Sequence, residues 1–261
     1  MNIVVCVKQV PDSWADNGLR TEDATVDRDS AAAGMNELDE FAVEEALKIQ
    51  ERNPGESTVS VLTMGPAGAA DTIRKALSMG ADAGIHVLDD SLHGSDALTT
   101  SLVLAKALGT LPWDLVICGT ESTDSRMAVV PAMLAERLGA AQLTMAGSVE
   151  IDASTVRIQR QTDAGWATVE GHTPAVVSVI EKINEPRYPS FKNILASKKR
   201  PVTTLSISEL GLLAEDVGLA GSRSSVVSFA VRPAKQAGIV VRDEGDGGLK
   251  VADFLSAENF I

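Results

Sequence analysis

The chain has 261 residues, 44% of them hydrophobic, and 36 acidic side chains against 23 Lys and Arg give it a net charge of −13. That apolar content excludes global disorder, and no apolar run approaches the roughly 18–20 residues that cross a bilayer. The acid excess argues against nucleic acid as the main ligand, because phosphate contacts need clustered cations.

Only Cys6 and Cys118 are present, each inside an apolar run. They read as buried thiols in a reducing compartment rather than a disulfide scaffold. The chain opens at once into the strand-like "NIVVCV", so no secretory or transit segment is expected. A soluble, cytoplasmic protein is the expectation.

The first 180 residues alternate between two periods. Short runs rich in Val, Ile and Leu occur at 3–7, 58–64, 83–88 and 114–119. Unbroken apolarity of this kind suits strands buried on both faces of a parallel sheet. Between them lie helical patterns over 37–52, 69–80, 95–109 and 127–139, several closing at a glycine. This alternation predicts an α/β fold with a doubly wound, mostly parallel sheet, Rossmann-like and of the adenine-nucleotide-binding type. Segments 155–161 and 166–171 then read as a hairpin around "TDAG", with 175–180 as a further buried strand. An antiparallel pair at the sheet edge is therefore expected.

Three parts follow: an α/β nucleotide-binding domain over 1–183, a segment over 184–200, and a C-terminal arm over 201–261. The middle segment, "NEPRYPSFKNILASKKR", carries five cations and one acid in this acidic chain, with two prolines and a lone Phe191. The arm contains an acidic linker at 241–250 and a short helical pattern at 249–256. It is too sparse in apolar residues to own a core, so it is expected to pack on something else.

In open α/β sheets ligands bind beyond the carboxyl ends of the strands. Those ends read "CVKQVPD", "TMGPAG" and "CGTESTDS", each a small-residue turn leading towards a helix. Such turns let backbone N–H groups approach an anion. Asn36 stands as N-cap of the helix at 37–52, with Asp39 three residues on. Each turn alone could be plain loop construction; their placement on one rim favours a ligand. There is no G-x-G-x-x-G after the first strand and no P-loop, which disfavours a dehydrogenase or P-loop NTPase.

Catalytic constellations are not evident. His86 reads as a core or rim histidine, while His93 and His172 lie in loops without a metal-ligand partner at i+3 or i+4. Asp39, Glu40, Glu44 and Glu45 read as a solvated helix face. No catalytic residue and no metal is assigned, and a nucleotide binder without chemistry of its own fits better than an enzyme.

Several motifs then carry a resemblance. "VKQVPD", "MNELDEFAVEEAL", "GPAGAADTIRKALSMGAD", "CGTESTD" and "PAVVSVIEKINEPRYPSFKNILASKKR" resemble the β subunit of electron transfer flavoprotein, from residue 1 to about 215, with a fainter likeness over "AGIVVRDEGDGGLKVADFL". The resemblance implies a heterodimer whose α subunit holds most of the FAD, while the β subunit binds a structural AMP and its C-terminal arm wraps the partner. It implies electrons taken from acyl-CoA and related dehydrogenases, in fatty acid oxidation, and passed to a membrane quinone oxidoreductase. Carried over by position, the AMP contacts would be Cys6, the helix start Asn36, Glu37, Leu38 and Asp39, Met64 before the Gly-Pro turn, and one loop. That loop comprises Gly119, Thr120, Glu121, Ser122, Thr123, Asp124, Ser125, Arg126, Met127, Ala128, Val129 and Val130. Many members carry a D-D-x-x-N-Q-T-G run here, whereas this chain has "TDSRMAVVP". From Ala128 to Val130 only backbone N–H groups could then meet a phosphate. Bifurcating relatives hold a second FAD in the same pocket, and a stand-alone adenine-nucleotide hydrolase is a further alternative.

The same resemblance makes 184–200 the loop that docks dehydrogenases, with Glu185, Pro186, Arg187, Tyr188, Phe191, Asn193, Ile194, Lys198, Lys199 and Arg200 as docking residues. Pro186 and Pro189 restrict the free loop and lower the entropy lost on docking. Burying one Phe contributes roughly 1.5–3 kcal/mol, against about 4 kcal/mol for a millimolar complex and 12 for a nanomolar one. One anchor thus gives weak, quickly released partners.

Overall fold

In the computed structural model the strands at 3–7 and 114–119 lie side by side at the centre of a nine-stranded sheet. Residues 1–14, 18–28, 32–52, 54–231, 233 and 238–261 are described. The chain divides into two units, Met1–Val227 and Ser228–Ile261.

The first unit opens with β1 (Asn2–Cys6), a small antiparallel pair of β2 (Gln9–Pro11) with β3 (Ala33–Met35), then α1 (Glu37–Arg52) and β4 (Thr58–Met64). It continues with α2 (Ala70–Met79), β5 (Ala83–Val87), α3 (Ala97–Leu108), β6 (Leu115–Gly119) and α4 (Val130–Leu138). Next come β7 (Ala141–Asp152), β8 (Thr155–Thr162), β9 (Gly165–His172), β10 (Ala175–Val179), α5 (Phe191–Ser197), β11 (Val202–Leu205) and the one-turn α6 (Gly218–Gly221). The sheet order is β11-β5-β4-β1-β6-β10-β7-β8-β9, antiparallel only at β7-β8 and β8-β9.

Period-2 burial builds the two layers. Ile3, Val5, Leu115 and Ile117 point to one face, where α1 and α2 contribute Val43, Leu47, Ile73 and Leu77. Val4, Cys6, Val116 and Cys118 point to the other, against Val103, Leu104 and Leu134 of α3 and α4. Helices on both faces explain why these strands lack polar alternation. Pro131 falls at the start of α4, where its missing N–H costs nothing.

Three features depart from the sequence reading. β7 is a full 12-residue strand between β10 and β8, so the antiparallel end has three strands. Its buried residues Leu143, Ala146 and Val149 are spaced by three, because bulges shift the register around 145–147 and Met145 takes a left-handed φ of 62°. That spacing hides the strand from a period-2 search. The boundary placed at residue 200 falls at Val227 instead: β11 adds to β5 as a parallel edge strand, and Ile207, Leu210, Leu212 and Val217 are buried in the layer of α3 and α4. The acidic linker is partly structured, since Asp243 accepts from the N–H groups of Gly245 and Gly247, each at 2.8 Å.

The second unit contains α7 (Gly247–Ala257), which has no buried residue. Leu249, Val251 and Phe254 are exposed on it. Residues 232 and 234–237 of the expected arm lie outside the described residues. No helix among the described residues is long and apolar enough to cross a membrane.

Ile117→Ala, at the centre of β6, should lower unfolding free energy by about 2–5 kcal/mol. Val202→Ala, on the half-exposed edge of β11, should shift it by under about 0.5 kcal/mol. Urea titration of the two variants side by side checks the assignment of centre and edge.

Candidate functional site

The strands β4, β1 and β6 are neighbours and run parallel, so Met64, Cys6 and Gly119 end on one rim. β4 lies on one side of β1 and β6 on the other, so connections leave β1 in both directions. This is the switch point where doubly wound sheets bind ligands.

The first turn of α1 knits the rim. The Asn36 amide donates to Glu121 O at 2.9 Å and to Asp39 Oδ1 at 3.0 Å, and its oxygen accepts from Thr123 N at 3.1 Å. Asn36 occupies the N-cap position, yet its side chain is spent on the loop after β6. Asp39 is buried and accepts from Lys8 N at 2.7 Å and from the Gly119 N–H. Burial pushes its carboxyl up to about 7, against those donors. A Cβ on Gly119 would stand 2.5 Å from Asp39 Oδ1 and 2.9 Å from the Leu38 carbonyl carbon, so only glycine fits there.

Two cations meet on the loop. Lys8 Nζ donates to Asp124 Oδ1 at 2.7 Å and to Ser122 Oγ at 3.1 Å, and Arg28 Nη2 donates to Asp124 Oδ2 at 3.0 Å. The Asp124 side chain is only 3% exposed. Its carboxyl lies below the usual range, since the two cations outweigh the burial that would raise it, while burial lowers the Lys8 ammonium. Past Asp124 the chain turns through left-handed Arg126 and Ala128, with Ser125, Arg126, Met127 and Ala128 exposed, and Val129 and Val130 open α4 without a side-chain cap. The α4 N-terminus therefore offers backbone donors and a favourable partial charge to an anion. A cavity of about 290 Å³ beside β2 and β3 adjoins the rim at Thr123, and its lining includes Asp12, Glu37 and Glu40, whose charge repels phosphate.

Cys6 and Cys118 are register partners on adjacent strands and face the same layer. The neighbouring Cys6 thiol, together with burial, holds the Cys118 thiol well above its usual range, which leaves it a poor nucleophile. His86 is buried with Nε2 3.0 Å from Gly65 O. His93 pairs with Asp23 at 2.7 Å on the surface.

The acids of α1 correct the sequence reading. Asp39, Glu44 and Glu45 are buried rather than solvated; only Glu40 keeps to the surface, bridged to Lys75. Glu44 receives Arg187 through Nε at 2.7 Å, Nη2 at 3.0 Å and the backbone N–H at 3.2 Å. Glu45 receives Asn184 Nδ2 at 3.2 Å, and the same amide donates to Phe41 O at 3.1 Å. The segment 184–187 is thereby fixed to α1.

The expected docking residues fall into two groups. Tyr188, Phe191 and Ile194 are exposed, Tyr188 at 96% and Phe191 at 78%, and Leu195 joins them. Lys198, Lys199 and Glu185 are also exposed, with Pro186 partly covered. Arg187, Asn193 and Arg200 instead face the body of the protein. Asn193 donates to Met79 O, and the Arg200 guanidinium donates to Leu77 O in the last turn of α2, 2.8 Å away, and to Ala81 O just beyond it. Arg200 is a C-terminal cap rather than a free steering charge. Lys8, Arg28 and Leu195 escaped the sequence reading. Lys8 could have been found from its place just after a strand end; Arg28 has no local signal.

This is a doubly wound α/β protein with a polar, cation-bearing rim at its switch point and a separate clamped loop that displays apolar side chains. An electron transfer flavoprotein domain model matches residues 23–210. The chain is 49% identical to the electron transfer flavoprotein subunit beta of Mycobacterium tuberculosis, over 100% of this chain and 99% of that one, and equally to that of Mycobacterium leprae. It is 32% identical to the caffeyl-CoA reductase-Etf complex subunit CarD of Acetobacterium woodii, over 92% of each. The chain belongs to the electron transfer flavoprotein family, as a β subunit.

Asp39 supplies a pH test. Its folded value near 7 exceeds the unfolded value near 3.9, so its contribution to stability is full below about pH 4 and fades as pH rises through 7. Asp124 shifts the other way, with its loss confined to lower pH. Between pH 4.5 and 7.5, Asp39→Asn should flatten the decline in unfolding free energy that the parent shows. Gly119→Ala should break the rim by forcing Asp39 off its donors, read as lost thermal stability.

Proposed function

We propose that this chain is the β half of a heterodimeric electron carrier that accepts electrons from acyl-CoA-type dehydrogenases and passes them to a quinone oxidoreductase. FAD is held mainly by the α subunit, and a structural AMP sits on the rim of this chain. The observation that carries the reading is the physical separation of a nucleotide-type rim from a clamped loop whose large apolar side chains point outward.

The residues at the rim suit an adenine mononucleotide. Lys8 and Arg28 bring two cations to the loop after β6, and the start of α4 has no side-chain cap. In this reading the backbone N–H groups of Arg126 to Val130 take the phosphate, and Ser122 and Thr123 lie beside it. Cys6, Met64 and the Asn36–Asp39 turn line the nucleoside end. The flavin supplies the one- and two-electron chemistry; this chain contributes binding, orientation and a docking surface. No residue of the rim acts as nucleophile or general base, so the chain is a carrier subunit and not an enzyme in its own right.

Phe191 is the anchor for dehydrogenases, flanked by Tyr188, Ile194 and Leu195, and Lys198 and Lys199 steer acidic partner surfaces. The exposed apolar residues of α7 and of the segment before it form the arm that packs on the α subunit. Free, buried Cys6 and Cys118 fit a cytoplasmic setting.

Nucleotide content tests the rim. The complex with its α subunit should release one FAD and one AMP per heterodimer on denaturation, quantified by chromatography. Two FADs without AMP would place a flavin on this rim, and no flavin at all would overturn the carrier reading. For the loop, Phe191→Ala should slow reduction by acyl-CoA dehydrogenases about tenfold or more, the equivalent of about 1.5–3 kcal/mol of lost burial, with nucleotide content unchanged. Stopped-flow reduction kinetics measure this.

A further inference from the structure

We propose that Arg187 is a positioning residue for partner docking: its guanidinium, held between Glu44 and Glu51 of α1, fixes the direction in which Phe191 is presented. The inference rests on the docking reading of the loop and adds to it the device that orients the anchor.

On this side Asn184 ties the start of the segment to α1, and Arg187 is the tie nearest to the displayed side chains. α5 has no buried residue, and Tyr188 and Phe191 are among the most exposed large side chains of the first unit. With no buried side chain to anchor α5 where it lies beside α2, polar ties carry much of its orientation. Asn193 and Arg200 tie the far end to α2. At the near end Arg187 makes five hydrogen bonds to α1. Three go to Glu44, and two go to Glu51, from Nη1 at 2.5 Å and Nη2 at 3.1 Å.

The two acids have different roles. Glu44 is buried and needs a cation to offset its desolvation. Glu51 is 58% exposed and needs none. Glu44 grips one edge of the guanidinium side-on, through Nε and Nη2. Glu51 takes the adjoining edge through Nη1 and Nη2, so the plane is held by two carboxylates, as a rigid fork of donors allows and a lysine ammonium does not. Tyr188 follows Arg187 directly and Phe191 is four residues on, so that plane sets the exit of the loop from α1. A loop already oriented loses less freedom when a partner docks.

The test uses the assembled heterodimer with both nucleotides bound and an acyl-CoA dehydrogenase chosen because it reduces the parent carrier. KM and kcat for the carrier are measured for Arg187→Lys, Glu51→Gln and Phe191→Ala, and for each of the first two combined with Phe191→Ala. Arg187→Lys should raise KM about tenfold with kcat unchanged. Glu51→Gln should raise it about threefold, and trypsin should cut after Lys192 several times faster in both. In the Phe191→Ala background neither substitution should change KM by more than about twofold, because Arg187 acts through the anchor.

Equal effects in both backgrounds would reduce Arg187 to general fold stability and overturn the proposal. So would a parental KM in both Arg187→Lys and Glu51→Gln while Phe191→Ala raises it; docking would then stand without this positioning. A parental KM in Phe191→Ala itself would overturn the docking reading, and the proposal with it. If Arg187→Lys fails to assemble, Glu51→Gln decides alone, since its side chain is largely solvent-exposed and carries no folding role.

Discussion

Three carboxylates buried along one helix set the terms for the rest of the molecule. A buried carboxylate is costly unless donors surround it, and α1 carries Asp39, Glu44 and Glu45 within seven residues. Each draws a different segment onto the helix: Asp39 takes the ends of β1 and β6, Glu44 takes Arg187, and Glu45 takes Asn184. The face of α1 that carries Asp39 also buries Ala42, Val43, Ala46 and Leu47 in the core. One rigid element thus locates both the rim and the loop. At about 1.5 Å of rise per residue, their attachment points on it are separated by roughly 7 Å.

The electrostatics of the rim follow from the same economy. An acidic chain brings two of its few cations, Lys8 and Arg28, to a single aspartate that is almost wholly buried. With the α4 N-terminus close in sequence, local positive potential collects where the global charge is negative. The neighbouring Cys118 thiol is pushed well above its usual range by the adjacent Cys6 and by burial, and stays passive. The arrangement suits holding an anion better than transforming one.

Much of the frame was legible in the sequence because its signals are local. β1, β4, β5 and β6 are buried on both faces, and unbroken Val/Ile/Leu runs announce them; α1 matches its helical pattern from Glu37 to Arg52. What escaped depends on distant partners. β7 carries bulges, so its buried residues fall three apart and mimic a helix face. β11 is a Thr-rich edge strand that is defined only by β5 beside it. The acids of α1 have the spacing of a solvated face, and nothing within residues 37–52 shows that Arg187 and Asn184 return to cover them. In the loop, the contrast between outward Phe191 and inward Arg200 is likewise absent from a run that reads simply as basic.

The division of labour within that loop bears on how such a chain can diverge. Residues 187, 193 and 200 tie the loop to α1 and α2, whereas 188, 191, 194 and 195 face largely outward. Substitutions at the outward positions are therefore nearly free of stability cost, and those at the inward ones are not. Selection can retune the displayed surface while the scaffold beneath stays constant. Descendants of this chain would be expected to vary in whom they meet long before they vary in how they fold.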